Sequence, residues 1–238
     1  MSVFVAEFLG TFLLILLGSG VVANVLLPKS KGMGGGLIAI TFGWAMGVFL
    51  GCYVSTPYSG GHLNPVVTLS MAYLGRLSWA DVPVYFAAQL AGAFAGAVGA
   101  WLVYKKHFDQ AENAGDIQSV FCTAPAIGHG GWNFVSEMGA TFAFMLGVLF
   151  LATAKDDLGS IQALPVGLLV LGIGLSLGGP TGYAINPARD LGPRIAHFIL
   201  PIPAKGNSGW KYAWVPILGP VIGGALATMV YHFTINTP

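Results

Sequence analysis

Two Asn-Pro pairs are the residues of this sequence best suited to recognise a ligand. They are Asn64-Pro65 and Asn186-Pro187, and each follows a glycine-rich stretch and precedes a short apolar run. Asn is a favoured helix N-cap and Pro is favoured at the first helical position, so each pair predicts the start of a helix. A side-chain amide at such a start can donate hydrogen bonds to an oxygen-bearing solute. The expected chemistry is therefore the binding and passage of a solute.

The composition indicates that these pairs lie in a membrane protein. Of the 238 residues, 55% are hydrophobic and 8% are charged, and the formal net charge is +1. A soluble domain carries about 25% charged residues, so an ordinary soluble enzyme, a basic nucleic-acid binder and a disordered chain are excluded. The two cysteines, Cys52 and Cys122, are too few for a disulfide framework and fit no metal-ligand spacing.

Six apolar stretches are predicted to be membrane helices, each of which needs about 20 residues. They cover residues 3–27, 34–54, 82–104, 134–154, 161–177 and 212–233. These stretches lack the alternation of apolar and polar residues that is typical of barrel strands. The predicted fold class is therefore an all-α membrane protein with six transmembrane helices.

The sequence also contains a repeated pattern. Glu7 begins the segment Glu-Phe-Leu-Gly-Thr-Phe and Glu137 begins the similar segment Glu-Met-Gly-Ala-Thr-Phe, each followed downstream by an Asn-Pro pair. The pattern predicts one channel domain over residues 1–238, with internal repeats at about 1–104 and 134–238. Because each repeat holds an odd number of spans, the second repeat would enter the membrane with inverted orientation. Inverted repeats are typical of transport folds, whose permeation sites lie near the membrane midplane.

The apolar runs after the Asn-Pro pairs, residues 66–74 and 188–200, are predicted to be two re-entrant half-helices. In an inverted repeat their positive N-terminal ends would meet near the membrane centre and, with Arg189, would repel cations and protons. The extended segments before them would persist at that depth only beside a wet cavity. Their backbone carbonyls would then form a row of acceptors for a neutral solute such as water or an alcohol. The residues concerned are Gly60, Gly61, His62, Gly182, Tyr183 and Ala184.

The segments around the two pairs resemble the paired signatures of the aquaporin family, also called major intrinsic proteins. They read Ser-Gly-Gly-His-Leu-Asn-Pro-Val-Val-Thr and Gly-Tyr-Ala-Ile-Asn-Pro-Ala-Arg-Asp-Leu-Gly-Pro. Asp190 in the second motif and the segment 121–125 are similar to the glycerol-conducting branch. The resemblance implies six membrane helices, two half-helices, a pore in each subunit and a homotetramer in a bacterial inner or plasma membrane. The pore motifs that it implies are Asn64-Pro65-Val66 and Asn186-Pro187-Ala188.

The resemblance also implies a narrow selectivity filter. The corresponding residues are Phe42 (alternatively Ile40), Gly174, Tyr183 and Arg189. Water-selective members carry a histidine at the position of Gly174, and its absence would leave room for a carbon skeleton. Phe42 and Tyr183 would face the CH edge of the solute, while Arg189 would bind its hydroxyl groups.

Charged residues inside apolar spans need partners, because a charge at the centre of a membrane helix costs about 2.5–3.5 kcal/mol on insertion scales. Glu7 and Glu137 are open to two interpretations, a proton relay or a scaffold that accepts hydrogen bonds from the re-entrant loops, and the resemblance favours the scaffold. Asp190 is expected to fix the loop beside Arg189. Val66 departs from the family's Asn-Pro-Ala pattern and would add bulk where the half-helices meet.

The sequence thus predicts a passive channel that conducts glycerol, small polyols and water across the lipid bilayer and excludes ions and protons. It predicts no enzyme activity, because no Ser/His/Asp set, phosphate loop or cofactor fingerprint is visible. No cofactor, metal or nucleic-acid partner is expected. Two alternatives remain: a water-selective channel, against which Gly174 and Asp190 argue, and a proton-coupled secondary transporter that works through Glu7 or Glu137.

Overall fold

The computed structural model describes residues 1–152 and 158–236, and within these residues it contains helices and loops but no β-strand. The α-helices, in chain order, are α1 (Val3–Leu26), α2 (Gly36–Ser59), α3 (Pro65–Tyr73), α4 (Val82–Val103), α5 (Lys105–Phe108), α6 (Ala114–Phe121), α7 (Gly130–Leu151), α8 (Leu164–Leu177), α9 (Pro187–Ile199) and α10 (Val215–Asn236). A 3-10 turn, Gly159–Ile161, precedes α8. The predicted all-α fold class is confirmed.

Five of the six predicted spans are helices with the length and apolar composition to cross a membrane. They are α1, α2, α4, α7 and the segment Trp210–Ile235, which contains most of α10. The predicted span 161–177 differs, because only its part Leu164–Leu177 forms an α-helix, of 14 residues. At about 1.5 Å per residue this helix is about 21 Å long, which is shorter than a hydrocarbon core of about 30 Å.

Helix α2 continues to Ser59, beyond the predicted end at residue 54, and Pro57 lies in its last turn. A proline removes a backbone donor and normally ends a helix, which is why the sequence suggests an earlier end. The chain leaves the helix at Gly60, whose φ of 84° is left-handed and whose N–H donates to the Thr56 carbonyl.

The two Asn-Pro pairs begin short helices, α3 with 9 residues and α9 with 13. Asn64 Oδ1 accepts a hydrogen bond from the Val66 N–H at 3.0 Å. Asn186 Oδ1 accepts from the N–H groups of Ala188 and Arg189 at 3.0 and 3.1 Å. Each asparagine therefore caps its helix, and neither helix is long enough to cross a membrane. The prediction of two half-helices is confirmed.

The helices of the two sequence repeats make matching contacts. Helix α1 packs against α2 and α4, and α7 packs against α8 and α10. Glycines allow these close approaches, since a Cβ at Gly92 of α4 would lie 2.4 Å from the Phe8 carbonyl oxygen. A Cβ at Gly223 of α10 would lie 2.1 Å from the Met138 carbonyl oxygen. Each half-helix packs against the last helix of the other repeat, α3 against α10 and α9 against α4, which brings the two capped ends together.

Two short helices that the sequence did not predict, α5 and α6, lie in the connection between α4 and α7. Helix α6 is amphipathic and buries Ile117, Val120 and Phe121, which recur at the spacing of one helix face. Asn113 Oδ1 caps it by accepting from the Gly115 N–H at 2.9 Å. Helix α6 contacts α1 and α9, so this connection is packed onto the bundle.

Candidate functional site

The side chains of Asn64 and Asn186 tie the two re-entrant loops to each other. Asn64 Nδ2 donates to the carbonyl oxygen of Ile185 at 2.9 Å. Asn186 Nδ2 donates to the carbonyl oxygen of Leu63 at 2.8 Å. An amide nitrogen carries two hydrogens, so each asparagine keeps one N–H donor that these bonds do not use. Both asparagines line a cavity.

The residues just before the asparagines hold strained backbone conformations. Leu63 has a φ of 52° and Ile185 a φ of 45°, in the left-handed region that non-glycine residues rarely adopt. Each such residue costs on the order of 1–3 kcal/mol and persists only where its surroundings hold it. In both loops the carbonyl of the strained residue accepts the hydrogen bond from the opposite asparagine. The strain therefore accompanies the bonds that join the loops.

Glu7 of α1 holds the first loop. Its side chain is fully buried and accepts from the backbone N–H groups of His62 and Leu63 at 3.0 and 2.8 Å. It also accepts from Ser59 Oγ at 2.6 Å and from Gln89 Nε2 at 2.8 Å. Four donors on one carboxylate offset the cost of burying its charge.

Glu137 of α7 holds the second loop in the same way. Its side chain is fully buried and accepts from the backbone N–H groups of Ala184 and Ile185 at 2.9 and 3.1 Å. Thr181 Oγ1 donates to it at 2.6 Å, as Ser59 does to Glu7. The two glutamates are therefore bound to loop donors and do not belong to the lining of the cavity.

Gln89 is a supporting residue that the sequence reasoning missed. Its Nε2 donates to Thr68 Oγ1 at 3.0 Å as well as to Glu7, and Thr68 donates to the Asn64 carbonyl at 3.2 Å. Thr68 Oγ1 also lies 3.1 Å from His62 Nδ1. Gln89 is the one amide or charged residue in Val82–Val103, and that isolation was the signal that could have identified it.

A cavity of about 580 Å³ lies beside both re-entrant loops. Residues at four-residue spacing on one face of α2 line it: Trp44, Val48, Cys52 and Thr56. Helices α7 and α8 contribute apolar side chains, among them Phe144, Val148, Val166 and Val170. The walls are mainly apolar, and the two asparagine amides, Arg189 and the loop backbone supply polar groups.

Arg189 lies at this cavity with its guanidinium stacked on an aromatic ring. Its Cζ is 3.8 Å from the centroid of the Trp44 ring, and Nη1 donates to the Phe121 carbonyl at 3.3 Å. The Tyr183 side chain also lines the cavity. The structure therefore brings a cation and two aromatic rings to the same cavity.

The prediction that Phe42 lines the pore is wrong. Phe42 is 49% exposed on the outer surface of α2, and Trp44 is the aromatic residue beside Arg189. A helix has 3.6 residues per turn, so residues 42 and 44 are about 200° apart and face opposite sides. Ile40, the alternative, packs against the core and does not line the cavity. Counting back in steps of four residues from Gly60, the first residue of the loop, was the signal that leads to Trp44.

The empty space expected at Gly174 is occupied by the ring of Tyr183. A Cβ at Gly174 would lie 2.9 Å from Tyr183 Cζ and 2.6 Å from Thr41 Cγ2. A Cβ at Gly178, one turn further along α8, would lie 2.5 Å from Tyr183 Cδ1. These two glycines let the ring rest against the helix, so Gly174 shapes the cavity through Tyr183 and does not open a vacancy for the solute.

Val66 packs against α10 and does not narrow the cavity, which corrects the expectation of added bulk where the half-helices meet. Its Cγ1 lies 2.0 Å from the position that a Cβ would take at Gly224. Val66 is 2% exposed, and the neighbouring residue Val67 lines the cavity instead. The absence of a side chain at Gly224 makes room for the valine.

Residues 60–63 and 183–185 of the two loops line the cavity. These ranges include five of the six residues predicted to supply carbonyls: Gly60, Gly61, His62, Tyr183 and Ala184. Gly182 is the exception, because it lies against the outer connection, where a Cβ would be 3.4 Å from Thr123 Cγ2. Leu63 and Ile185 were missed, and their carbonyls are the ones bound by the asparagines.

Asp190 fixes the segments around Arg189. It is fully buried, and its Oδ2 accepts from the N–H and Oγ1 of Thr123 at 2.8 and 2.7 Å. Its Oδ1 accepts from Nε of Arg194 at 2.8 Å and lies 2.7 Å from Nη2 in the same ion pair. Arg194 was not singled out from the sequence, although an Asp and an Arg four residues apart on one helix are a recognisable pair.

The histidine and cysteine side chains, which are common metal ligands, are dispersed in the described part of the chain. Among residues 1–152 and 158–236, no group of three or more His, Cys, Asp or Glu side chains could hold a metal ion. Cys52 and Cys122 are both free thiols. His107 Nδ1 contacts the Pro28 carbonyl at 2.9 Å and His197 Nδ1 contacts Ser208 Oγ at 2.8 Å, so both rings have structural contacts.

Membrane-length helices, two asparagine-capped half-helices and a cavity between them define a membrane channel. A family model described as "Major intrinsic protein" matches residues 1–231. The chain belongs to the major intrinsic protein family. It is therefore a multi-pass protein of the cell membrane that acts as a channel and not as an enzyme.

Related proteins cover almost the whole chain. It is 51% identical over 233 residues to the probable glycerol uptake facilitator protein of Thermotoga maritima, covering 98% of this chain and 99% of the relative. It is 52% identical over 225 residues to a glycerol uptake facilitator protein of Streptococcus pneumoniae, covering 94% and 96%. Among solved structures, the aquaglyceroporin from Plasmodium falciparum is similar, with a TM-score of 0.86, 31% identity and coverage of 98% and 96%.

Proposed function

We propose that this protein is a passive channel for glycerol, other small neutral polyols and water, and that it excludes ions and protons. The observation that carries the proposal is the pair of Asn64 and Asn186 amides, each with one unused donor, beside a cavity with mainly apolar walls. The names of the two bacterial relatives, which are about half identical to this chain, support glycerol as the solute.

A glycerol molecule presents hydroxyl groups along one edge and CH groups along the other. The two asparagine donors and the loop carbonyls would bind the hydroxyl edge, replacing hydrogen bonds that the solute makes with water. The apolar side chains of α2, α7 and α8 would contact the CH edge. Because both kinds of contact are weak and repeated, the solute could enter and leave without a deep trap.

Arg189, Trp44 and Tyr183 would form the selectivity filter. The guanidinium has five N–H donors, of which the bond to the Phe121 carbonyl uses one, so donors remain for solute hydroxyls. The rings of Trp44 and Tyr183 would supply an apolar surface for the carbon atoms. Gly174 would act from behind Tyr183, by allowing its ring to lie against α8.

Exclusion of ions and protons would follow from the same groups. Each asparagine oxygen is occupied by N–H groups of its own half-helix, so the side chain offers only a donor to the cavity. A water molecule between two donors must accept from both, which interrupts a chain of waters that could relay protons. The positive ends of α3 and α9 and the charge of Arg189 would add a barrier to cations.

The two alternatives have less support. A proton-coupled transporter would need Glu7 or Glu137 on the solute path, and both are fully buried and bound to loop donors. A water-selective channel would be expected to fill its filter with a polar side chain at residue 174, where this chain has a glycine facing an aromatic ring.

We also infer that the two halves are inverted repeats and that the subunits form a homotetramer in the lipid bilayer. The matching helix contacts of the two halves support the first inference, and the family resemblance supports the second. Native mass spectrometry in a mild detergent should show a mass of four chains, and a monomer under conditions that preserve solute flux would contradict the tetramer.

Stopped-flow light scattering on proteoliposomes tests the main proposal. A glycerol gradient should cause re-swelling at least about tenfold faster than in protein-free vesicles, and a proton gradient should leave the rate unchanged. An impermeant osmolyte reports water flux in the same vesicles. Water flux without glycerol flux would support a water-selective channel, and proton-driven accumulation would support a transporter; either result would overturn the proposal.

A further inference from the structure

Arg189 depends on the outer connection between α4 and α7 for its position. Its hydrogen bond to the Phe121 carbonyl fixes one edge of the guanidinium, and the Trp44 ring supports one face. The Phe121 carbonyl belongs to the end of α6, in a part of the chain that lies outside both re-entrant loops. Whatever holds residues 121–123 therefore also holds Arg189.

Two residues of α9 anchor the segment 121–123 at Thr123. Asp190 Oδ2 accepts from both the N–H and the Oγ1 of Thr123. Arg194 Nη2 donates to the Thr123 carbonyl at 2.9 Å. The donor and acceptor groups of Thr123 are thus bound by one acid and one base that also pair with each other.

All three nitrogens of the Arg194 guanidinium bind acceptors. Nε donates to Asp190 Oδ1, and Nη2 donates to the Thr123 carbonyl and forms an ion pair with the same Asp190 oxygen. Nη1 donates to the carbonyls of Ser208 and Gly209 at 2.7 and 3.1 Å. The side chain is fully buried, so none of these bonds competes with water. Only a planar guanidinium can join three chain segments in this way.

We propose that Arg194 is a positioning residue for the filter: it holds the Phe121 carbonyl at the place where Arg189 needs an acceptor. It does so without touching the solute, through Thr123 and Asp190. The inference rests on the proposed function, because it assigns Arg189 to the solute filter. A residue needed only for folding would lower stability and all fluxes together, whereas a positioning residue would change the ratio of two fluxes.

Arg194→Lys is the first variant to test. Lysine keeps a positive charge beside Asp190, but its single ammonium group cannot reach Asp190, Thr123 and Ser208 together. In proteoliposomes with matched protein content, we expect the ratio of glycerol to water permeability to fall about fivefold, the effect of roughly one weakened hydrogen bond to a charged group. Water flux should change less, because water needs no oriented guanidinium.

Lys205→Met is the matched control. Lys205 is also a cation that binds outer carbonyls, those of Phe198 and Leu200 at 2.8 and 2.7 Å, but it does not contact residues 121–123. This variant should keep the wild-type permeability ratio. Equal losses of glycerol and water flux in Arg194→Lys, or the same ratio change in both variants, would overturn the proposal.

Two further measurements keep the test decisive. If Arg194→Lys does not fold, Thr123→Val is the second variant, because it removes the hydroxyl bond to Asp190 and leaves the buried ion pair intact. Thr123→Val should also lower the ratio of glycerol to water permeability, but by less than Arg194→Lys. A structure of either folded variant should show Arg189 displaced from the Phe121 carbonyl. An unmoved Arg189 in a folded variant would overturn the positioning role. Absence of glycerol flux in the wild-type protein is a separate result, and it would overturn the proposed function.

Discussion

The first re-entrant loop, residues 60–64, and the second, residues 182–186, share one plan and lie in different surroundings. In each, a buried glutamate accepts two backbone N–H groups and one hydroxyl, and a strained residue offers its carbonyl to the opposite asparagine. The first loop is backed by the side chain of Gln89 in α4. The second is joined through Asp190 and Arg194 to the outer connections.

This difference shows how one loop design serves two purposes. The shared part places the two asparagines, and it needs only buried carboxylates and backbone donors. The part that differs places a cation beside the second loop only. The residue three places after Asn64 is Val67, whereas the residue three places after Asn186 is Arg189. Placing a cation there requires acceptors from outside the loop, which the segment 121–123 supplies.

The largest effect is expected from replacing the loop glutamates. Glu137→Gln would turn an amide NH2 toward a backbone donor, leaving at least one buried N–H without an acceptor at a cost of about 1–3 kcal/mol. In Glu7→Gln the new NH2 would also face a backbone donor, the Leu63 N–H, but a rotated Gln89 could offer that NH2 its Oε1, which has no hydrogen-bond partner among the described residues. We therefore expect Glu137→Gln to lower the melting temperature in detergent more than Glu7→Gln does.

Fluorescence-detected size-exclusion chromatography after heating measures this difference. Glu7→Asp and Glu137→Asp, which keep the charge but shorten the reach, are the matched controls and should both be destabilised. A larger loss for Glu7→Gln than for Glu137→Gln would contradict the idea that Gln89 makes the first loop more tolerant.

Arg189→Val makes the second motif resemble the first, and it is expected to have the next largest effect. Loss of the fixed charge and of its donors should raise the conductance of small cations in planar bilayers by at least about tenfold, since the electrostatic barrier in the filter would be lost. Asp190 stays paired with Arg194, so the fold should persist. An unchanged cation leak in a folded variant would remove Arg189 from the filter.

Gly174→His should reduce glycerol flux by about tenfold and water flux by less, because its side chain must displace the Tyr183 ring into the solute path. Gly172 is the matched control on the same helix, since a Cβ there would meet no atom of residues 1–152 and 158–236 within 4 Å. Stopped-flow measurements of Gly174→His and Gly172→His in parallel test the assignment. Equal reductions of glycerol and water flux by Gly174→His would count against it.

The smallest effect is expected at the tyrosines beside the two loops. Tyr183 has a buried hydroxyl with no hydrogen-bond partner in the described part of the chain, so Tyr183→Phe should leave glycerol flux within about twofold and should not lower stability. The Tyr85 hydroxyl donates to the Ser59 carbonyl at 2.7 Å, so Tyr85→Phe should destabilise the protein by about 1 kcal/mol. Thermal unfolding and glycerol flux of both variants decide the matter. A clear loss of glycerol flux in Tyr183→Phe would show that its hydroxyl contacts the solute.

Much of the fold was predictable because it depends on local composition. Runs of apolar residues define the spans, and Asn followed by Pro defines the starts of α3 and α9 to within one residue. The ends of α2 and α8 were less predictable, since Pro57 lies in the last turn of a continuing helix and α8 begins at Leu164, after a 3-10 turn. Helices α5 and α6 escaped prediction because they are short and stabilised by packing against the bundle.

The site residues that belong to a sequence motif were predictable, whereas those defined by the inward-facing side of a helix were not. Asn64, Asn186, Tyr183 and Arg189 follow from the two signatures, and all four line the cavity. The choice of Phe42, with Ile40 as the alternative, failed because α2 is apolar on all sides, and no polar stripe in its sequence marks Trp44 as belonging to the inner face. Gln89 and Arg194 act on the loops through contacts 82 and 71 residues away in sequence, with Glu7 and Thr123.

The sequence by itself determined that this chain spans a membrane, that two asparagines cap short helices, and that buried glutamates need loop donors. These conclusions rest on solvation and hydrogen-bonding rules that apply to each segment separately. Only the tertiary structure decided which face of α2 meets Arg189, that Tyr183 fills the space beside Gly174, and that Arg194 joins three distant segments. These facts depend on helix rotation and on which surfaces meet, and a side chain's type alone does not specify either.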